Sequence, residues 1–241
     1  MPITERTAPT ASAAESRKRG TVRPAGARQR EQIERKSSDA LDAIARDSQN
    51  TVALDDALAA AIELNDEPRI ADLLGRKAHA SPDDPELRFA YAAALMRLRQ
   101  WVLALPELRT VITERPEHVR AWHNLALALH ALGSLSDARD AWGRVIALSP
   151  SDLDSRARRA EILLDLGDWR NAAADLEFII AADASATDAA LNLALARLKL
   201  REFDAARAAI RPLLDIEPLK MTAHRRMQEI DLAQREVSTA P

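Results

Sequence analysis

Apolar side chains recur along most of this chain at the three- and four-residue spacing of amphipathic helices, and the pattern breaks and restarts at a fixed interval. Leu64, Leu98, Leu132, Leu166 and Leu200 stand 34 residues apart. Pro82, Pro116 and Pro150 keep the same interval, Ala184 takes the following place and Pro218 the next. The clearest stretch, residues 119–152, reads as two short helices joined by a turn at Gly133 and Ser134, with Pro150 closing the second. A period of this length marks a stacked array, in which each unit buries its apolar face only against its neighbours.

The period sets five units at 51–84, 85–118, 119–152, 153–186 and 187–220. In the first, Leu54, Leu58, Ala61, Ile62 and Leu64 predict one apolar face, and Ile70, Leu73 and Leu74 a second. Asn65 and Asp66 make its turn, and Pro68 falls where a first helical turn tolerates proline. Upstream, residues 27–50 predict a capping helix with Ile33, Ala40, Leu41, Ile44 and Ala45 as its buried stripe. Downstream, residues 221–236 predict a second cap, with Met227, Ile230 and Leu232 inward and Arg225, Arg226, Glu229, Arg235 and Glu236 outward. Residues 237–241 are expected to fray. Residues 1–26 hold too little apolar surface to offset their ordering entropy and are expected to be a disordered basic tail.

Counted from Val119 and its equivalents, the eighth place of the units holds Ala92, Ala126, Ala160 and Ala194, and the twentieth holds Ala104, Ala138, Ala172 and Ala206. Small residues let two helix axes approach, while bulky ones fill the gaps around them. The bulky set is Tyr91, Leu125 and Leu193 at the seventh place, and Leu108, Trp142, Leu176 and Ile210 at the twenty-fourth. Trp101, Leu135, Trp169 and Phe203 follow the turns. The run Trp122, Leu125, Ala126, Ala138, Trp142 and Pro150 closely resembles the tetratricopeptide repeat motif, and the resemblance covers residues 51–220. It implies an all-α, right-handed superhelical solenoid whose first helices line a concave groove that takes a peptide or protein segment. The chain departs from the motif where Val111, Val145, Ile179 and Leu213 replace a small residue. Arg88, Arg156 and Arg159 also occupy normally apolar places. Their aliphatic stems can lie along apolar surface. The interval and the acidic array weigh against the pentatricopeptide repeats that read RNA.

Composition narrows the chemistry. Hydrophobic residues make up 47% of the chain but aromatics only 3%, so Ala and Leu must build the interior. The net charge of -3 gives no strong pull towards nucleic acid or anionic membrane. It is unevenly spread: residues 1–36 carry +5 and the remainder -8, so the tail is read as a solubilising segment or a weak electrostatic tether. No cysteine is present, which removes disulfides, thiolate metal sites and a cysteine nucleophile. The absence of a long apolar run predicts no membrane insertion, and a cytoplasmic location is expected. Nothing pairs a nucleophile with a base, and six glycines form no phosphate loop, so no enzyme activity and no cofactor are expected. His123 and His130, seven residues apart, would stand about 10 Å apart along a helix, too far for joint metal ligation.

What remains is a groove. The resemblance implies that the second, fifth, sixth, ninth, twelfth and thirteenth places of each first helix face it. The candidates are His123, Asn124, Leu127, His130, Arg158, Glu161, Asn192, Lys199 and Arg226, with Phe89, Met96 and Arg97 in the unit before. Asn offers donor and acceptor to an extended backbone, and Arg holds a carboxylate bidentately. Asn124 followed by Arg158, and Asn192 followed by Arg226, partly resembles the carboxylate clamp of chaperone-binding members. Phe89, Ala93 and Asp154 stand where that clamp has Lys or Asn, so a chaperone tail is not the expected ligand. Trp122 and Trp142 are read as core. The expected function is a non-catalytic adaptor, monomeric, for an unidentified protein or peptide segment. Alternatives are a self-association module or an RNA-associated adaptor acting through the tail.

Overall fold

Helix boundaries follow the 34-residue period. The computed structural model describes residues 25–48 and 50–239, with helices and no strand among them. The first helix, α1 (Ala25–Arg46), precedes the paired helices α2 (Thr51–Glu63) and α3 (Glu67–Ala80), α4 (Pro85–Arg97) and α5 (Trp101–Glu114), and α6 (Val119–Ala131) and α7 (Leu135–Leu148). Then come α8 (Leu153–Asp165) and α9 (Trp169–Ala182), α10 (Thr187–Lys199) and α11 (Phe203–Ile210), and finally α12 (Lys220–Thr239). Residues 1–24 of the predicted tail lie outside the described residues, whereas Ala25 and Gly26 already belong to α1. The final helix extends to Thr239, beyond the expected end near Arg235, and residues 240 and 241 lie outside the described residues. The eleventh helix is shortened to eight residues, because Pro212 has no N–H to continue it and a 3-10 turn over Arg211–Leu213 takes over.

The turn inside each unit uses one device. Asn65, Arg99, Gly133, Gly167 and Arg201, all at the fifteenth place, adopt left-handed φ angles between 53° and 76°. The next amide reaches back across the turn: Asp66 to Ala61, Gln100 to Leu95, Ser134 to Leu129, Asp168 to Leu163 and Glu202 to Arg197. These bonds satisfy carbonyls that the helix end leaves orphaned. The following first helix is then capped by the thirty-fourth place. Side chains of Asn50, Asp84, His118 and Asp152 accept backbone amides of the first turn, while Ala186 gives no side-chain cap.

Packing runs along the array rather than around one centre. Consecutive helices touch throughout, and first helices of neighbouring units also touch directly, α4 with α6 and α10 with α12. The eighth- and twentieth-place alanines from Ala92 to Ala206 are all but sealed from solvent. Trp142 is fully buried, and its indole Nε1–H finds no hydrogen-bond partner. In the last helix Ala223 and Ile230 face inward, but Leu232 is 60% exposed, contrary to the sequence expectation. Two residues on from Ile230, it is rotated by about 200° and cannot share that face. Ile62 and Ala45 likewise point outward, each one residue beyond a buried neighbour, Ala61 and Ile44.

The three off-pattern arginines have specific partners. The fourth place reaches back to the carbonyl of the preceding proline: Arg88 to Pro82, Trp122 to Pro116 and Arg156 to Pro150. In the fifth unit Ala190 stands at the fourth place and Ala184 replaces the proline, so the donor and the proline are absent together. Where the fourth place is Arg, the twenty-third is acidic. Arg88 pairs with Glu107 at 2.9 Å, and Arg156 with Asp175 at 3.2 Å. Arg159 adds a bidentate pair to Asp175, whose side chain is only 3% exposed. Where the fourth place is Trp122, the twenty-third is Ala141. The twenty-sixth place exchanges roles too: Arg144 lies over the Trp122 ring, and Arg156 lies 3.7 Å over Phe178.

Candidate groove of the first helices

The first-helix layer carries the places singled out in the sequence. Between α4 and α6 it opens into a pocket of about 580 Å³ lined by Ala93, Met96, Arg97, Trp101, Asn124, Leu127, His130 and Ala131. Ala93 and Ala131 are too short to fill the gap. Met96, Leu127 and the half-buried Trp101 supply apolar surface, with Asn124 and His130 as polar groups among them. Thus Asn124, Leu127 and His130 are brought together. In the sequence Trp101 marks only the turn side; its position directly after the α4–α5 turn is the signal that brings it to the pocket.

Met96 and Arg97 join them there, and the other candidates do not line this pocket. His123 is half-buried and stands edge-on to Trp142, with ring centroids 4.9 Å apart. Phe89, expected on the groove, is buried at 6% exposure; His118 packs on its ring and the Arg120 guanidinium lies over it. Arg158 is exposed, with Nε 3.6 Å from Asp154 on its own helix. Arg226 donates to Glu229 at 2.6 Å. Arg97, at the edge of the pocket, donates to Glu67 at 2.7 Å. Glu161 is exposed and has no ion-pair or hydrogen-bond partner among the described residues. Asn192 is half-buried, and the Lys199 ammonium lies 6.0 Å from the Trp169 ring centroid.

Two features bear on chemistry. Burial raises the Asp152 carboxyl, but hydrogen bonds from the Ser155 hydroxyl and amide and the Asp154 amide, with the charge of His123, outweigh it and hold the group below its ordinary value. Among the described residues no group of three His, Asp or Glu side chains converges as a metal site, and no helix is long and apolar enough to cross a membrane.

A family model described as tetratricopeptide repeat matches residues 89–152 and 158–219, more than half of the chain. The chain belongs to the tetratricopeptide repeat family. Membership makes the array a protein-interaction scaffold in kind, and the family is generally non-catalytic. No curated protein sequence matches it. Among solved structures it is similar to YrrB, a TPR protein with an unusual peptide-binding site, at 14% identity and TM-score 0.63 over 80% of this chain and 99% of that one. It is also similar to MamA from Desulfovibrio magneticus RS-1, at 19% identity and TM-score 0.55 over 64% of this chain and 88% of that one. A chain in the structure of Naa15/Naa10 bound to HypK-THB gives 18% identity and TM-score 0.66 over 85% of this chain but 32% of that one. At these identities the likeness is one of fold: the tetratricopeptide solenoid.

Proposed function

We propose that this tetratricopeptide array is a non-catalytic adaptor that holds an extended segment of another protein across its first helices, anchored between α4 and α6. The observation that carries the reading is the open pocket there, with an apolar floor of Met96, Leu127 and Trp101 and the polar ends of Asn124 and His130 beside it. Apolar surface with a few placed polar groups is the usual make-up of a ligand site. The Asn124 amide can both donate to and accept from a backbone, which suits an extended segment of varied sequence. Helices packed on both neighbours keep the site formed before binding, so only the ligand pays ordering entropy. The unusual peptide-binding site of YrrB, on the same fold, supports this use of the solenoid.

The experiment is site-specific photo-crosslinking in the full chain. A benzophenone side chain at Leu127 should link to a bound protein segment, while the same group at Arg109, exposed on a second helix, should not. Equal labelling from both positions, or labelling only from Arg109, would overturn the reading.

A further inference from the structure

The charges around the pocket are not equally available. Every arginine of α4, α6 and α8 on this face is already engaged: Arg97 with Glu67, Arg120 with the Phe89 ring and Arg158 with Asp154. The carboxylates flanking them are not. Glu161 and Asp165 on α8 are exposed and have no partner among the described residues. They occupy the places that Leu127 and Ala131 hold in the pocket, one unit further on. Asp56 and Glu63 of α2 are also exposed and unpartnered, but they line a separate cavity of about 900 Å³ between α1 and α2, together with Lys36. Neighbouring helix axes lie about 8–10 Å apart, so the α8 carboxylates are within reach of a long side chain two or three residues from one seated in the pocket.

Resting on the groove reading above, the geometry points to a partner segment in which one large apolar residue has Lys or Arg two or three residues away, on the side that crosses α8. The apolar side chain sits on Met96, Leu127 and Trp101. The basic residue reaches Glu161 and Asp165. An acidic segment would instead meet arginines that must first give up their carboxylate or ring, and its own charge would face the unneutralised Glu161 and Asp165. Charge complementarity of this kind selects partners chiefly by excluding the wrong sign.

The test is a peptide array probed with the full chain, in which the central residue is Leu, Phe or Ser and the flanks are Lys or Glu, varied independently. Lys-flanked Leu and Phe peptides should bind at least about tenfold more tightly than their Glu-flanked counterparts. Glu161→Gln with Asp165→Asn should remove most of that preference without moving the thermal midpoint. A preference for Glu flanks, or none, overturns the basic partner and leaves the apolar anchor standing. Indifference to the central residue overturns the groove reading as well. Tighter capture of Lys-flanked peptides by Arg17→Glu, Lys18→Glu, Arg19→Glu would assign the face to the chain's own N-terminal segment and overturn a separate partner.

Discussion

Asp175→Ala isolates the contact that replaces the usual apolar packing in the fourth unit. The wild-type carboxylate is 3% exposed and accepts from Arg156 at 3.2 Å and from two nitrogens of Arg159 at 2.7 Å. Deleting it leaves two guanidinium groups without their common partner. Removing one side of a buried pair costs about 3–5 kcal/mol, because the remaining charge stays desolvated. Both arginines have a path to water, at 15% and 26% side-chain exposure, so the low end, about 3 kcal/mol, is expected. In a chain of this size that lowers the melting temperature by about 6–12 °C. Urea unfolding followed by circular dichroism measures it, with hydrogen exchange of α8 and α9 showing whether the loss is local. The neighbouring unit supplies the control. Arg156→Trp, Arg159→Leu, Asp175→Ala and Phe178→Arg together install the set Trp122, Leu125, Ala141 and Arg144. That transplant should recover most of the loss. A single-variant change below about 1 kcal/mol, or a transplant no more stable than the single variant, would refute the account of an exchanged polar and aromatic set.

Further predictions concern turns, core and cap. Arg99 and Arg201 hold φ angles of 58° and 61° that glycine adopts without strain, so Arg99→Gly and Arg201→Gly should each stabilise by about 0.5–1 kcal/mol in urea unfolding. Gly133→Ala should lose about 1 kcal/mol, since nothing lies within 4 Å of the added Cβ and only its φ of 76° opposes it. Trp142→Ala should cost about 3–5 kcal/mol, and loss of ligand capture with unchanged stability would contradict its place in the core. Because the Asp152 carboxyl is held below 3.8, it adds stability above that pH that is lost as pH falls through its lower folded value. Asp152→Asn should flatten that part of the acid unfolding curve.

The turns were legible only in part. The leucine at the fourteenth place marked all five, but glycine marked the left-handed residue only at Gly133 and Gly167; Asn65, Arg99 and Arg201 adopt the same conformation without that signal. The Arg–carboxylate exchange was hidden because its members lie nineteen residues apart on different helices. Its trace was present in the sequence, since Arg88 with Glu107 and Arg156 with Asp175 repeat that spacing. Asn124, Leu127 and His130, which line one pocket, stand at places picked out through the resemblance to tetratricopeptide repeats. Register could not show that Phe89 turns inward under Arg120, whereas the pairs of Arg158 with Asp154 and of Arg226 with Glu229 lie four and three residues apart on one helix and are legible in the spacing.

Titration of the tightest Lys-flanked peptide into the full chain, beside Leu127→Asp, tests the central claim most directly. Leu127 is half-buried and packs against the core, so the substitution should cost about 1–3 kcal/mol and still leave a folded protein, while a carboxylate in the apolar pocket between α4 and α6 should weaken binding by at least about tenfold. Undiminished affinity in a folded Leu127→Asp protein would contradict a peptide-binding face on the first helices.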